Sequence, residues 1–317
     1  MNSIIHIGTR GSQLALWQTN WVKERLQKQF PEFRFDSAII KTTGDKILNV
    51  PLSNIGDKGL FTKELDNALI RGDVDFAVHS LKDLPTEIPS GLMIGAITQR
   101  WDVRDALVAN NGATLDTLPE HAAIATGSLR RKAQLLAYRP DFRIVDIRGN
   151  LNTRFKKFDE SDWDAMILAV AGIERLGWHQ RISEKIATDI MLPAVGQGSF
   201  AVICREGDER ILSLLQAVND EPAALAATAE RAMLKTLEGG CQIPIGALAE
   251  IKDSELQLRG CVCQLDGKVV VRERKSIQLN GRNDRAAADQ LGSDLAALLL
   301  QNGAGEILSL ISAEMRA

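Results

Sequence analysis

Short apolar runs alternate with amphipathic stretches from the start of the chain, and their spacing assigns each to a strand or a helix. Residues 4–8 read as a strand. Ser12 then takes an N-cap position, and Leu14, Trp17, Trp21 and Leu26 fall along one helical face that runs to about Lys28. A strand at 35–42, a helix at 62–70 and a strand at 74–81 follow. The alternation resumes with strand 122–125, helix 128–138, strand 142–147, helix 151–158 and strand 164–170. Repeated βα units predict α/β domains with largely parallel sheets. The last third changes character. Residues 221–236 form an Ala-rich helix, with Pro222 tolerated in its first turn. Strands at 256–264 and 268–277 pair across Asp266-Gly267, a strong hairpin signal. A helix with Ala287, Leu291, Leu295 and Leu298 in register closes near Gly303. Domain boundaries fall near residues 100 and 221, the second opening a small α+β domain.

A length of 317 residues suits two or three domains, and 45% hydrophobic with 25% charged residues is the mix of a soluble globular protein. Aromatics are only 5%, so Leu, Ile, Val and Ala must fill the cores. With 38 Lys plus Arg against 41 Asp plus Glu, the net charge of −3 argues against a general nucleic-acid binder, whose affinity comes from neutralising phosphates. It leaves room for a local basic pocket. The first residues lack the basic, apolar and small-residue pattern of a secretion signal, and no segment reads as long and apolar enough to cross a bilayer. Four cysteines, Cys204, Cys241, Cys261 and Cys263, lack the spacing of a disulfide framework; free thiols in a reducing, cytoplasmic setting are expected.

Chemistry gathers where strands are expected to end, the edge at which open α/β sheets bind ligands. In GTRGSQLALWQ, Arg10 and the helix opened by Ser12 would offer a cation and free N–H groups to a carboxylate or phosphate; the alternative is a surface arginine beside an ordinary cap. In ATGSLRRKAQ, Arg130 and Arg131 lie in the first turn of the helix capped at Ser128, where cations oppose the helix dipole. A bound anion would relieve that mismatch. In VDIRGNLNTR, Arg148 ends a strand and Arg154 sits a turn inside the next helix. A ligand with several carboxylates would explain such a concentration of guanidinium groups in a protein of net charge −3. In VDFAVHSLKDLPTEIP, Lys82 and Asp83 close a strand; Asp83 is a proton-transfer group, a loop ion-pair partner or a turn former, and His79 reads as a satisfied structural histidine. In LEGGCQIPIG, Cys241 sits on a Gly-Gly loop, either as a nucleophile or as an idle thiol. Cys261 and Cys263 alternate on a strand without the companions a zinc site needs, and no G-x-x-x-x-G-K-[ST] loop is present.

Taken in order, RGSQLALWQ, TTGD, GDKGLFTKELD, DFAVHSLKDLPTE, RWDVRDALV, TGSLRRKAQL, IRGNLNTR, DAMILAVAGIERLG, LPAVGQG and AERAMLKTLEGGCQIPIG closely resemble the hydroxymethylbilane synthase (porphobilinogen deaminase) family over nearly the whole chain. The resemblance implies two α/β lobes similar to type II solute-binding proteins, at 1–98 plus 199–216 and at 104–192, and an α+β domain at 221–317. It implies a dipyrromethane cofactor joined through a thioether to Cys241, and porphobilinogen as substrate. Arg10, Ser12, Lys82, Ser128, Arg130, Arg131, Arg148 and Arg154 match family positions that bind cofactor or substrate carboxylates; Lys58 and Arg175 match likewise, and Asp83 matches the catalytic carboxylate. The implied reaction condenses four porphobilinogen molecules head to tail with loss of ammonia, then releases the linear tetrapyrrole by hydrolysis. Residues 47–59, rich in Gly, Asn and Asp, are the candidate mobile loop. Thr43 and Gly127 depart from the family pattern, which often has Arg and Ser there. A cytoplasmic monomer bound to neither nucleic acid, metal nor membrane is expected. The rivals are a non-catalytic two-lobed binder of a small polycarboxylate and a nucleic-acid-binding regulator.

Overall fold

The computed structural model describes residues 4–46, 59–237 and 243–314. Lys58, Cys241 and all of the candidate loop except Gly59 lie outside the described residues. In chain order the elements begin with β1 (Ile4–Thr9), α1 (Gln13–Gln29), β2 (Arg34–Ile39), α2 (Thr43–Lys46), α3 (Lys63–Arg71), β3 (Phe76–Ser80) and β4 (Leu92–Ile97). Then come β5 (Asp105–Ala109), β6 (Ala123–Ala125), α4 (Leu129–Tyr138), β7 (Arg143–Val145), α5 (Leu151–Asp159), β8 (Ala165–Ala169), α6 (Val170–Arg175) and β9 (Glu184–Lys185). The chain continues with β10 (Phe200–Arg205), α7 (Glu209–Leu215), α8 (Glu221–Thr236), β11 (Ile245–Lys252), β12 (Glu255–Cys263), β13 (Val270–Gln278), α9 (Asp284–Leu299) and α10 (Gly305–Glu314).

Two compact units result. Among the described residues, the first takes those up to Trp101 and from Gly198 to Ala224; the second takes Asp102 to Gln197 and Leu225 onward. The first holds a sheet of order β2-β1-β3-β10-β4, and the second repeats that plan as β7-β6-β8-β5-β9. In each, three strands run parallel at one side: β1 with β2 and β3, β6 with β7 and β8. One reversed strand then inserts, β10 in the first sheet and β5 in the second. Hydrophobic period gives no strand direction, so the expectation of largely parallel sheets is corrected to mixed sheets with a reversed strand next to the last.

Alternation along the strands explains the cores. In the second sheet Leu107, Ile124 and Ile167 face one layer with Leu135 of α4, while Ala106, Val108, Met166 and Leu168 face the other with Phe155 and Phe158 of α5. In the first unit Ile5, Ile7, Val22, Leu26, Phe76 and Phe200 form the core beside an aromatic cluster. There Trp101 stacks on Phe200 at 4.8 Å and meets Trp21 edge-on at 5.1 Å.

The second unit also carries the antiparallel sheet β11-β12-β13, packed on α8, α9 and α10. The hairpin between β12 and β13 forms, but its turn is longer than two residues: Gln264 N–H bonds the Val269 carbonyl, and Gly267 takes φ +75°. Helix α9 closes as expected near Gly303, where Asn302 (φ −93°, ψ 19°) and Gly303 (φ +103°) leave helical geometry before α10 begins. Its buried face is Ala288, Leu291, Leu295, Ala296 and Leu299, so Ala287 and Leu298 sit at its margin. The run Asp284–Ala313 is long and apolar enough to cross a membrane by length and composition, contrary to expectation. Its apolar residues, including Ile307 and Ile311, fill this core.

Candidate active site

In the first unit, β1 ends at Thr9 and Ser12 caps α1, its hydroxyl accepting the Ala15 N–H at 3.3 Å. Arg10 between them is already engaged. It forms an ion pair with Asp45, its Nε donates to that carboxylate at 3.2 Å, and its guanidinium lies 4.3 Å from the Phe61 ring centre. Asp45 also accepts from the Thr42 hydroxyl at 2.8 Å. Burial opposes its ionisation, yet the bonds and charge from Arg10 and Thr42 prevail and hold its carboxyl below the usual range. Thr43, the departure in TTGD, bonds Glu64 through its N–H at 2.9 Å and its hydroxyl at 2.5 Å.

At the end of β3, Leu81–Asp83 form one 3-10 turn in which Leu81 is buried, Lys82 half-buried and Asp83 exposed. The buried leucine anchors the turn and leaves the carboxylate at the sheet edge. His79 is only 5% exposed, and its Nε2 has no hydrogen-bond partner among the described residues, so it is buried without being fully satisfied. Burial, assisted by the charge of Arg10, lowers its pKa to about 4 and keeps it neutral.

The second unit answers the question posed by two arginines at a helix N-terminus. Ser128 caps α4 by accepting the Arg131 N–H at 3.5 Å. Both guanidiniums turn beneath the helix onto Asp105, the first residue of β5, which is fully buried. Arg130 Nη2 reaches one carboxylate oxygen at 2.7 Å; Arg131 Nη2 and Nε reach the other at 2.8 and 3.2 Å. Gln197 Nε2 adds a bond at 3.0 Å. Burial works against Asp105's charge, but the two guanidiniums and these bonds overcome it and hold the carboxyl far below its ordinary range. The anion sought outside the chain is therefore met first by one inside it. One carboxylate against two guanidiniums still leaves a unit of buried positive charge. Burial depresses the Arg130 guanidinium, Asp105 offsets this, and the like charge of Arg131 adds to it.

The neighbouring loop adds further cations. Asn150 caps α5, accepting the Thr153 N–H at 3.0 Å, while Arg154 Nε donates to the Gly149 carbonyl at 2.8 Å. Gly149 takes φ +118° with Thr153 2.7 Å from any added Cβ, so only glycine fits. Arg148 is half-buried, and its Nη1 is buried with no partner among the described residues. Arg175, at the end of α6, has its pKa pulled down to about 9 by burial. At Gly127 an added Cβ would stand 2.7 Å from the Ile147 carbonyl, so this departure brings the β6–α4 turn hard against the exit of β7.

Sequence reasoning missed Asp105, Gln197 and Asp45. Asp45 lay in a noted motif, and Asp105 had a signal of its own: a charged residue opening the apolar run DALVA. Cys204, Cys261 and Cys263 are free and buried, with burial raising the Cys204 thiol to about 11. They are poor nucleophiles.

A family model described as "Porphobilinogen deaminase, dipyromethane cofactor binding domain" matches residues 5–213, and "Porphobilinogen deaminase, C-terminal domain" matches 224–301. The chain belongs to the porphobilinogen deaminase family. Porphobilinogen deaminase of Chlorobium phaeobacteroides is 50% identical over 98% of each chain, and that of Desulforamulus reducens 50% identical over 99% of each. The Gloeobacter violaceus protein is 52% identical over 98% of this chain and 94% of its own. Among solved structures, the periplasmic aliphatic sulphonate binding protein SsuA of Escherichia coli aligns with a TM-score of 0.41 at 15% identity, over 93% of this chain and 87% of that one. The family's cofactor is dipyrromethane, and the residues present fit a group of several carboxylates. The Asp105 triad keeps one positive charge in excess, and an Arg148 donor stands buried without a partner among the described residues.

Proposed function

We propose that this member of the porphobilinogen deaminase family works as a hydroxymethylbilane synthase, with its primer held through a thioether at Cys241. Four porphobilinogen molecules are joined head to tail with loss of ammonia, and hydrolysis releases the linear tetrapyrrole. The observation that carries the residue assignment is the uncompensated positive charge in the second unit. Arg130 and Arg131 share Asp105 as their one bonded carboxylate among the described residues, and Arg148 Nη1 is buried there without a partner; Arg154 and Arg175 join them by the family resemblance. The acetate and propionate arms of the pyrroles balance that excess. When bound, dipyrromethane would supply the free α-carbon to which the first unit joins, each later unit joining the terminal pyrrole of the growing chain.

Asp83, exposed on its 3-10 turn, accepts hydrogen bonds from pyrrole N–H groups and stabilises positive charge as ammonia leaves. Arg10, Ser12, Lys58 and Lys82 are further ligands for carboxylates. Cys241 is assigned as the anchor because the other three cysteines are buried, with one titrating near 11. The working form is a cytoplasmic monomer of three domains, at 1–98 plus 199–216, 104–192 and 221–317, engaging neither nucleic acid nor membrane. Sedimentation at a two-chain mass would refute the monomer.

Intact-protein mass spectrometry tests the proposal. The wild type should exceed its sequence mass by two linked pyrrole units and gain further pyrroles on incubation with porphobilinogen, while Cys241→Ser should carry none. Asp83→Asn should hold the primer yet turn over at least about a hundredfold more slowly. A wild type that never gains mass, even with substrate, refutes the activity. A Cys241→Ser protein that does gain it refutes the anchor.

A further inference from the structure

Gln134 lies four residues beyond Arg130 on α4, is fully buried, and has no part in the reading above. Its Oε1 accepts the Leu192 N–H at 2.8 Å, and its Nε2 donates to the Leu192 carbonyl at 3.0 Å. Because the Leu192 N–H can only donate, the orientation of the amide is fixed. The same carbonyl accepts Arg130 Nη1 at 2.6 Å, so one peptide oxygen is gripped by both side chains. Together with the Asp105 bond to Nη2, this sets the plane of the Arg130 guanidinium.

Leu192 is also where the C-terminal sheet docks. Gly246 of β11 lies so close that an added Cβ would stand 2.8 Å from Leu192 Cβ and 3.0 Å from its carbonyl oxygen. Ala247 N–H bonds the Pro193 carbonyl at 3.0 Å, and Cys261 Sγ lies 3.6 Å from Gln134 Oε1. The Gln134 amide thus fastens α4 to Leu192 and touches β12 at Cys261, while the adjoining Pro193 carbonyl holds β11.

We propose that Gln134 is a positioning residue, setting the Leu192 carbonyl that aims Arg130 at its anionic ligand and coupling that aim to strand β11. This rests on the reading that Arg130 meets pyrrole carboxylates. Gln134→Leu keeps the side chain's bulk but strands the buried Leu192 N–H and removes one of the two donors that hold the Leu192 carbonyl.

The test is a double-mutant cycle on primer-loaded enzyme, comparing wild type, Gln134→Leu, Arg130→Leu and the double variant. Gln134→Leu should raise KM for porphobilinogen about tenfold with kcat within about twofold, and should have no further effect on KM once Arg130 is leucine. Should it fail to fold, Gln134→Glu, which retains the acceptor for the Leu192 N–H, takes its place with the same readings. A lowered melting temperature with KM unchanged, or equal KM effects in both backgrounds, overturns the proposal. A wild-type KM in Arg130→Leu alone overturns the reading of Arg130 beneath it.

Discussion

The two α/β sheets repeat one plan, yet they treat the same corner differently. After β1 the chain places Arg10 ahead of the Ser12 cap; after β6 it places Arg130 and Arg131 behind the Ser128 cap. The first arrangement leaves a half-exposed pair, with 21% of the Arg10 side chain and 28% of the Asp45 side chain open to solvent. The second buries its guanidiniums to 6% and 7% exposure against a carboxylate at zero. Solvent screens the first pair, which is free to exchange partners, whereas the second is locked and keeps a charge it cannot share with water. An anion-binding corner can therefore be built adjustable or rigid, depending on which side of the cap the arginine occupies.

The largest test of this contrast is Asp105→Asn. Removing the carboxylate shared by two buried guanidiniums should cost about 3–5 kcal/mol, read from urea unfolding; a loss below about 1 kcal/mol would show that the triad is not locked. His79 comes next. Its imidazole titrates at 6.5 when unfolded and about 4 when folded, so the unfolded chain binds more protons between those values. Stability should fall by about 3 kcal/mol as pH drops through that window, and His79→Leu should flatten the slope there. Asp105, held far below 3.8, contributes its own loss only at lower pH. In the adjustable corner, Asp45→Asn should cost no more than about 1 kcal/mol, with the effect shrinking as salt rises. A cost like that of Asp105→Asn would erase the contrast. Ser12→Ala and Ser128→Ala should each cost about 1 kcal/mol, alike in both units, because capping is indifferent to the charges nearby.

Most of the helices and strands were legible because each apolar residue they bury repeats at its own period, as with Ile5 and Ile7 on β1 or Val22 and Leu26 on α1. The reversed strands β5 and β10 were not read at all, since both are short runs buried on both faces and lack the alternation that marks a strand. The arginines were visible as a cluster in the sequence, but their partner was not: Asp105 lies 25 and 26 residues away, and nothing local marks such a pairing. The close of the helix near Gly303 was legible, because a glycine at positive φ ends it, whereas the further helix α10 was not read.

The inserted strands also bear on how the chain is made. All five strands of the second α/β sheet lie between Asp105 and Lys185, so that sheet can assemble from one continuous stretch. The first sheet must wait for β10 at Phe200–Arg205 to slot between β3 and β4. During synthesis from the amino end, the lobe that starts first should therefore finish later, holding its gap open while its neighbour folds.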